Sequence, residues 1–129
     1  MVCFDSDFII DFLMGESYAV KKMKFLRDNN SEISTTSINT FELLRGATSL
    51  NQKNSNENVF AFLSYLKIFD FDFEASEKAA EIFDSLKIKG ELIDVFDLMI
   101  ASIVISNGES LLTRNISHFN IISGLKIAN

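Results

Sequence analysis

Met1-Val2-Cys3-Phe4-Asp5-Ser6-Asp7-Phe8-Ile9-Ile10-Asp11 opens the chain with a short apolar run that stops at a carboxylate and then turns helical. A short apolar run rich in Val, Cys and Phe reads as a first β-strand. Its last residue, Asp5, is delivered to a sheet edge. In open α/β sheets, ligands bind outside the carboxyl ends of the strands. Three further acids stand in telling contexts downstream: Glu42, Asp94 and Asp97. Carboxylates meeting at one point repel one another and need a cation. The expectation is a hard-metal site, Mg²⁺ or Mn²⁺, and metal-assisted hydrolysis.

Outward from that stretch, strands and helices alternate. Asp7 to Met14 reads as a short helix with Ser6 as its N-cap, broken by Gly15. Ser17 to Arg27 is a second helix, carrying Val20, Met23 and Phe25-Leu26, and Asp28-Asn29-Asn30 is a turn. Ile33 to Thr36 is a β-branched strand. Ser37 begins a helix through Ser49. Asn51 to Asn58 is polar and reads as a loop; Val59 to Leu66 is helical. Ile68 to Phe71 is a strand. Asp72 caps a long helix from Phe73 to Lys87, with Ala75, Ala79-Ala80, Phe83 and Leu86 facing inward. Gly90 ends that unit. Asp94 to Ser106 is another helix, Leu111-Leu112-Thr113 a buried strand, and Ile121-Ile122 a last short one. This alternation predicts a parallel α/β sheet with helices on both faces. Right-handed crossovers gather the strand ends on one edge.

Size and composition narrow the class. The 129 residues favour a single domain, 1–129, with one core. Hydrophobic content of 47%, with 13 Phe and no Pro, allows a sizeable core. No apolar run approaches the ~20 residues that span a membrane, and no basic region precedes an apolar stretch, so neither membrane nor signal peptide is expected. The single Cys3 cannot form an internal disulfide, which suits a reducing cytoplasm, and in a strand it reads as an inert core thiol. The net charge of −6 argues against a nonspecific nucleic-acid binder with a basic face, yet not against a nuclease whose acids hold cations. It also suits a basic protein partner.

The acids are not equivalent. Glu42 falls in the first turns of the helix after the second strand, near the same edge as Asp5. Asp94 and Asp97 are three apart and share a helix face. The residues after them, Leu98 to Ile105, are almost wholly apolar, so a deeply buried helix opens with two acids, and buried acids need partners or metal. Asp94 also suits a helix cap. Thr113-Arg114-Asn115 follows the last central strand at the same edge. Asp7 and Asp11 read as solvated helix residues, and Asp70 and Asp72 as turn and cap. His118 reads as a locally bonded residue and Phe119 as core. Arg45, one turn after Glu42, either pairs with an acid or touches a substrate phosphate.

With these residues in place, the chain resembles the PIN-domain family, in particular the VapC-type toxin ribonucleases. The matching stretches are Val2 to Asp11, Glu42-Leu43-Leu44-Arg45-Gly46-Ala47, Gly90 through Asp94-Val95-Phe96-Asp97 to Ala101, and Leu112-Thr113-Arg114-Asn115 through His118-Phe119. The resemblance implies a three-layer α/β/α sandwich around a mostly parallel sheet, Mg²⁺ or Mn²⁺, and endonucleolytic RNA cleavage leaving 5′-phosphate and 3′-hydroxyl ends. It also implies a homodimer and a small antitoxin partner. Asp5, Glu42 and Asp97 match the family's acidic triad, and Asp94 a position that is often acidic. Asn115 falls where many members carry a fourth acid and others Asn. Arg45 and Arg114 are candidates for positioning phosphate. With no Trp and few Tyr, no large stacking platform for bases is expected.

Three rival readings remain at this level. Asp5-x-Asp7 after an apolar strand also resembles the nucleophile motif of haloacid-dehalogenase-type phosphotransferases, with Asp5 as nucleophile and Asp7 as general acid. A response-regulator receiver needs a phosphoacceptor that Asp70 supplies poorly. A PIN-like binding module without activity is opposed by the intact set Asp5, Glu42 and Asp97.

Overall fold

The computed structural model describes residues 1–49 and 53–128, leaving aside the side chains of 47–49 and 53–55. β1 (Val2–Phe4) leads into α1 (Ser6–Leu13) and α2 (Ser17–Asp28). β2 (Ile33–Thr36), α3 (Ser37–Ser49), α4 (Lys53–Leu63) and β3 (Lys67–Phe69) follow. Then come α5 (Phe73–Ile88), α6 (Val95–Ser106), β4 (Ser110–Leu112), α7 (Ile116–Phe119) and β5 (Lys126–Ile127). The strands form one sheet in the order β3-β2-β1-β4-β5, and every pair is parallel. The chain winds to one side of β1 first and to the other side afterwards. The carboxyl ends of β1 and β4 therefore flank the switch point, where a crevice opens in such sheets.

Strand pleating divides the core in two. Phe4 and Leu112 point to one face and pack with Phe8, Ile9, Met23 and Leu43 of α1 to α3. Cys3 and Leu111 point to the other and pack with Ile82 and Leu86 of α5 and Ile100 and Val104 of α6. Three layers result, helices–sheet–helices, as expected. Phe4, Phe8 and Phe119 are essentially fully buried, and each such side chain contributes about 1.5–3 kcal/mol through lost water contact.

Several local expectations are corrected. Asp5, not Ser6, caps α1: its carboxylate accepts the Ser6 N–H at 2.9 Å. Most of the expected loop 51–58 is the first half of α4; Asn51 and Gln52 lie outside the described residues. The propensity of its Asn residues is overridden by the packing of Val59, Phe62 and Leu63 on the core. Phe83 and Ala80 face solvent, while Ile82 takes the inward position. The last strand is Lys126–Ile127, because pairing with β4 decides it, and Ile122 is buried in a turn instead. Asp72 caps α5 as expected, accepting the Ala75 N–H at 2.9 Å. Gly15 (φ 78°) and Gly90 (φ 72°) end α1 and α5 in the left-handed region that glycine tolerates.

Candidate active site

Asp5 sits where β1 ends, only 6% exposed, and three donors hold it. Its Oδ1 accepts the Ser6 N–H at 2.9 Å and the Asn39 side-chain amide at 2.9 Å. Its Oδ2 accepts the Thr113 hydroxyl at 2.7 Å. Thr113 follows β4, so the switch point is closed by a bond between residues 108 apart.

Asn39 organises the neighbouring side. It is fully buried in the first turn of α3. Thr36, at the end of β2, donates its hydroxyl to Asn39 Oδ1 at 2.7 Å and accepts the Asn39 N–H at 3.1 Å. The Asn39 amide also donates to Ser6 Oγ at 2.9 Å, and Ser6 donates to Glu42 Oε1 at 2.9 Å. A continuous chain of hydrogen bonds therefore runs from β2 to Glu42. Asn39 and Glu42 are three apart, so one helix face presents both. The sequence reading singled out Glu42 and missed Asn39 and Ser6; the signal available was that three-residue spacing.

Glu42 and Asp97 face the same edge, each half-buried. Burial, then the charges of Asp5 and Asp97, raise the Glu42 pKa above its ordinary value, against the Ser6 hydroxyl and the charge of Arg45. Burial, then the charges of Asp94 and Asp5, raise that of Asp97, against His118. The charge of Asp5 thus acts on both Glu42 and Asp97, and that of Asp97 on Glu42 as well. His118, though exposed, places Nδ1 3.7 Å from Asp97 Oδ2. Asp94 itself is exposed and caps α6, accepting the N–H groups of Phe96 at 2.9 Å and Asp97 at 3.3 Å. A cleft of about 320 Å³ opens beside it, walled by Leu92, Ile93 and Ile121 with Asp97 and His118 on its rim. A slightly larger groove, about 340 Å³ along α5, lies away from these acids.

Asp7 and Asp11 are not the solvated residues expected. Asp11 is buried, accepts the Tyr18 hydroxyl and pairs with Arg114 Nε at 2.8 Å. Asp7 accepts the Arg114 backbone N–H at 3.0 Å, lies 3.3 Å from the Thr113 hydroxyl, and leaves Oδ1 buried without a partner among the described residues. Burial, then the charge of Asp5, raises the Asp7 pKa. Helical periodicity alone could not reveal that this face of α1 packs under the loop after β4. Asn115 is exposed at the start of α7, where its backbone is engaged: its N–H donates to Thr113 Oγ1 at 3.0 Å and its carbonyl accepts the His118 N–H at 3.1 Å, while its side chain makes no capping hydrogen bond. Arg45 forms no ion pair among the described residues; its guanidinium lies over the Phe41 and Phe96 rings.

The donor set is all oxygen, which matches a hard cation. Among the described residues no three His, Cys, Asp or Glu side chains close into a ready cage. Mg²⁺ ordinarily keeps several waters and takes only one or two carboxylates, so an open, facing set of this kind is compatible with it.

A family model described as "PIN domain" matches residues 2–123. "Ribonuclease VapC2" of Rickettsia felis is 34% identical over 108 residues, covering 83% of this chain and 80% of that protein. "tRNA(fMet)-specific endonuclease VapC" of Salmonella typhimurium is 33% identical over 100 residues, covering 77% of this chain and 76% of that protein. Among solved structures, that of VapBC2 from Rickettsia felis bound to a DNA fragment from their promoter superposes with a TM-score of 0.89 at 28% identity, covering 100% of this chain and 98% of that chain. A phosphotransferase or receiver assignment is thereby set aside: the chain belongs to the PIN domain family and is of the VapC type.

Proposed function

We propose that this chain is a Mg²⁺- or Mn²⁺-dependent endoribonuclease and the toxin of a type II toxin–antitoxin pair, working in the cytoplasm as a homodimer. The observation that carries the reading is Asp5, locked by three donors at the switch point, with Glu42 and Asp97 in the same field. The names of the VapC relatives support the substrate class. The VapBC title of the solved neighbour supports a small antitoxin partner, and a basic one would complement the net charge of −6. No helix among the described residues is long and apolar enough to cross a membrane.

Asp5, Glu42 and Asp97 would hold the cation, with Asp94 at its margin. Once bound, such a cation lowers the pKa of its water and stabilises charge on the scissile phosphate. The protein's part is positional. Asn39 and Thr113 fix the two Asp5 oxygens, Ser6 fixes Glu42, and the α6 cap fixes the first turn that bears Asp97. Arg45 is the better placed phosphate contact, since Arg114 is engaged by Asp11. Asn115, in the place of a fourth acid, lowers the negative charge available to a second ion.

The test is cleavage of mixed RNA by the purified protein with Mg²⁺, with Mn²⁺ and with EDTA, beside Asp5→Asn. Discrete fragments with 5′-phosphate ends that require both metal and Asp5 are expected. Cleavage indifferent to EDTA and to Asp5→Asn would overturn the reading. Absence of cleavage in every condition would favour a binding module.

A further inference from the structure

Phe41 and Phe96 immediately precede Glu42 and Asp97 in the chain, so α3 and α6 each carry an aromatic ring next to an acid of the site. The two rings meet edge-on, 5.9 Å apart at 81°. Arg45 lies over both, 5.3 Å from the Phe41 centroid and 6.0 Å from that of Phe96. Phe41 nevertheless remains 51% exposed. The other cation–ring contacts, Lys22 with Phe25 and Lys67 with Phe69, each involve one ring and none of the site acids. The cation is also differently engaged from its neighbour. Arg114 is tied to Asp11 at 2.8 Å, whereas Arg45 has no carboxylate within ion-pair reach among the described residues.

Resting on the nuclease reading above, we infer that Phe41, Phe96 and Arg45 form a stacking platform for an unpaired nucleobase of the RNA beside the bond that is cut. Bases splayed from single strands stack on aromatic rings and on guanidinium planes, and this trio offers both. The guanidinium N–H groups, not taken by a carboxylate, remain for a phosphate or a base edge. Paired bases in an A-form duplex do not offer their faces, so the platform selects unpaired nucleotides. The absence of Trp, which argued against such a surface, is met by two Phe and an Arg brought together only by the packing of α3 on α6.

The experiment uses a short single-stranded oligoribonucleotide containing 2-aminopurine, whose fluorescence falls on stacking. It is titrated in Mg²⁺ buffer onto the full chain carrying Asp97→Asn to prevent cleavage. The platform predicts quenching on binding. Phe41→Leu loses the quench and binds roughly 5- to 100-fold more weakly. Phe41→Tyr restores both, and Arg45→Lys, which keeps the charge and loses the plane, restores neither fully. Phe83→Leu, at an equally exposed ring on α5, changes nothing. Unchanged affinity and quench in Phe41→Leu would overturn the inference. So would an equal loss toward duplex RNA, or a Phe41→Leu defect that coincides with conversion of an oligomer to monomers, which would mean that a second copy covers the rings. Cleavage by the wild-type chain without quenching removes the platform and leaves the nuclease. Quenching without any wild-type cleavage does the reverse.

Discussion

Asp5 and Glu109 lie at opposite ends of the same sheet and are equally hidden, 6% and 5% exposed, yet they are treated in opposite ways. Asp5, at the carboxyl end of β1, receives three hydrogen bonds spread over both oxygens. Glu109, just before β4 begins, receives one long bond from Ser34 Oγ at 3.3 Å, and its Oε2 has no partner among the described residues. Burial dominates at Glu109 and raises its pKa. Burial of an acid is therefore not what distinguishes a site in this fold. The distinguishing feature is the supply of donors that fix the oxygens. Besides Ser34, the charges of the N-terminus and Lys67 pull the Glu109 pKa down and that of Glu32 pushes it up, and the neighbouring buried Cys3 thiol is pushed up to about 12, chiefly by burial.

The comparison breaks most sharply at Asp97. Asp97→Asn should abolish RNA cleavage, a larger loss than the roughly 10–100-fold typical of an outer-shell partner. On the proposed metal reading, Mg²⁺ should raise the melting temperature of the wild type, and Asp97→Asn should remove that rise. Retained cleavage in that variant would mean that the edge does not act as a unit. Next come the donors: Asn39→Ala and Thr113→Val should each lower the cleavage rate by roughly 10- to 100-fold, measured at fixed Mg²⁺. An effect below twofold would show that Asp5 needs no such support.

The amino end gives a smaller effect with a pH signature. Glu109 holds its proton to higher pH in the folded chain than in the unfolded one. Its contribution thus favours the native state in acid and is lost as pH rises through the raised folded value. Glu109→Gln should therefore raise the melting temperature by a few degrees at pH 8 and lose that advantage toward pH 4. A shift of the same size at both pH values would attribute the effect to packing rather than charge. The smallest effect belongs to Asp94→Asn. Asn caps helices as well as Asp, so activity should stay within about threefold and stability within a few tenths of a kcal/mol. A loss matching that of Asp97→Asn would make Asp94 a full ligand.

Much of this was legible in the sequence. The apolar run ending in Asp5, the strand–helix alternation, Glu42 in the first turns of α3 and the apolar α6 opening with acids all read directly, because each depends on local pattern. What escaped depends on contacts between distant segments. Asn39 looks like an ordinary polar residue until β1 and α3 are side by side. Asp7 and Asp11 look solvated until the loop after β4 closes over α1. The polar stretch ahead of Val59 looks like a loop until Val59 and Phe62 find the core. Phe41 and Phe96, 55 positions apart in the chain, carry no joint signal before α3 meets α6.

The strand order has a consequence for synthesis. β1 is made first and lies at the centre of the sheet, but one of its two partners is β4, at Ser110–Leu112. A chain growing from its N-terminus has Asp5, Asn39, Glu42 and Asp97 in hand well before Thr113 and the strand that seats it exist. Long-range parallel pairing of this kind also forms slowly. The edge that Asp5 shares with Thr113 is thus completed only after β4 has been translated and has paired with β1.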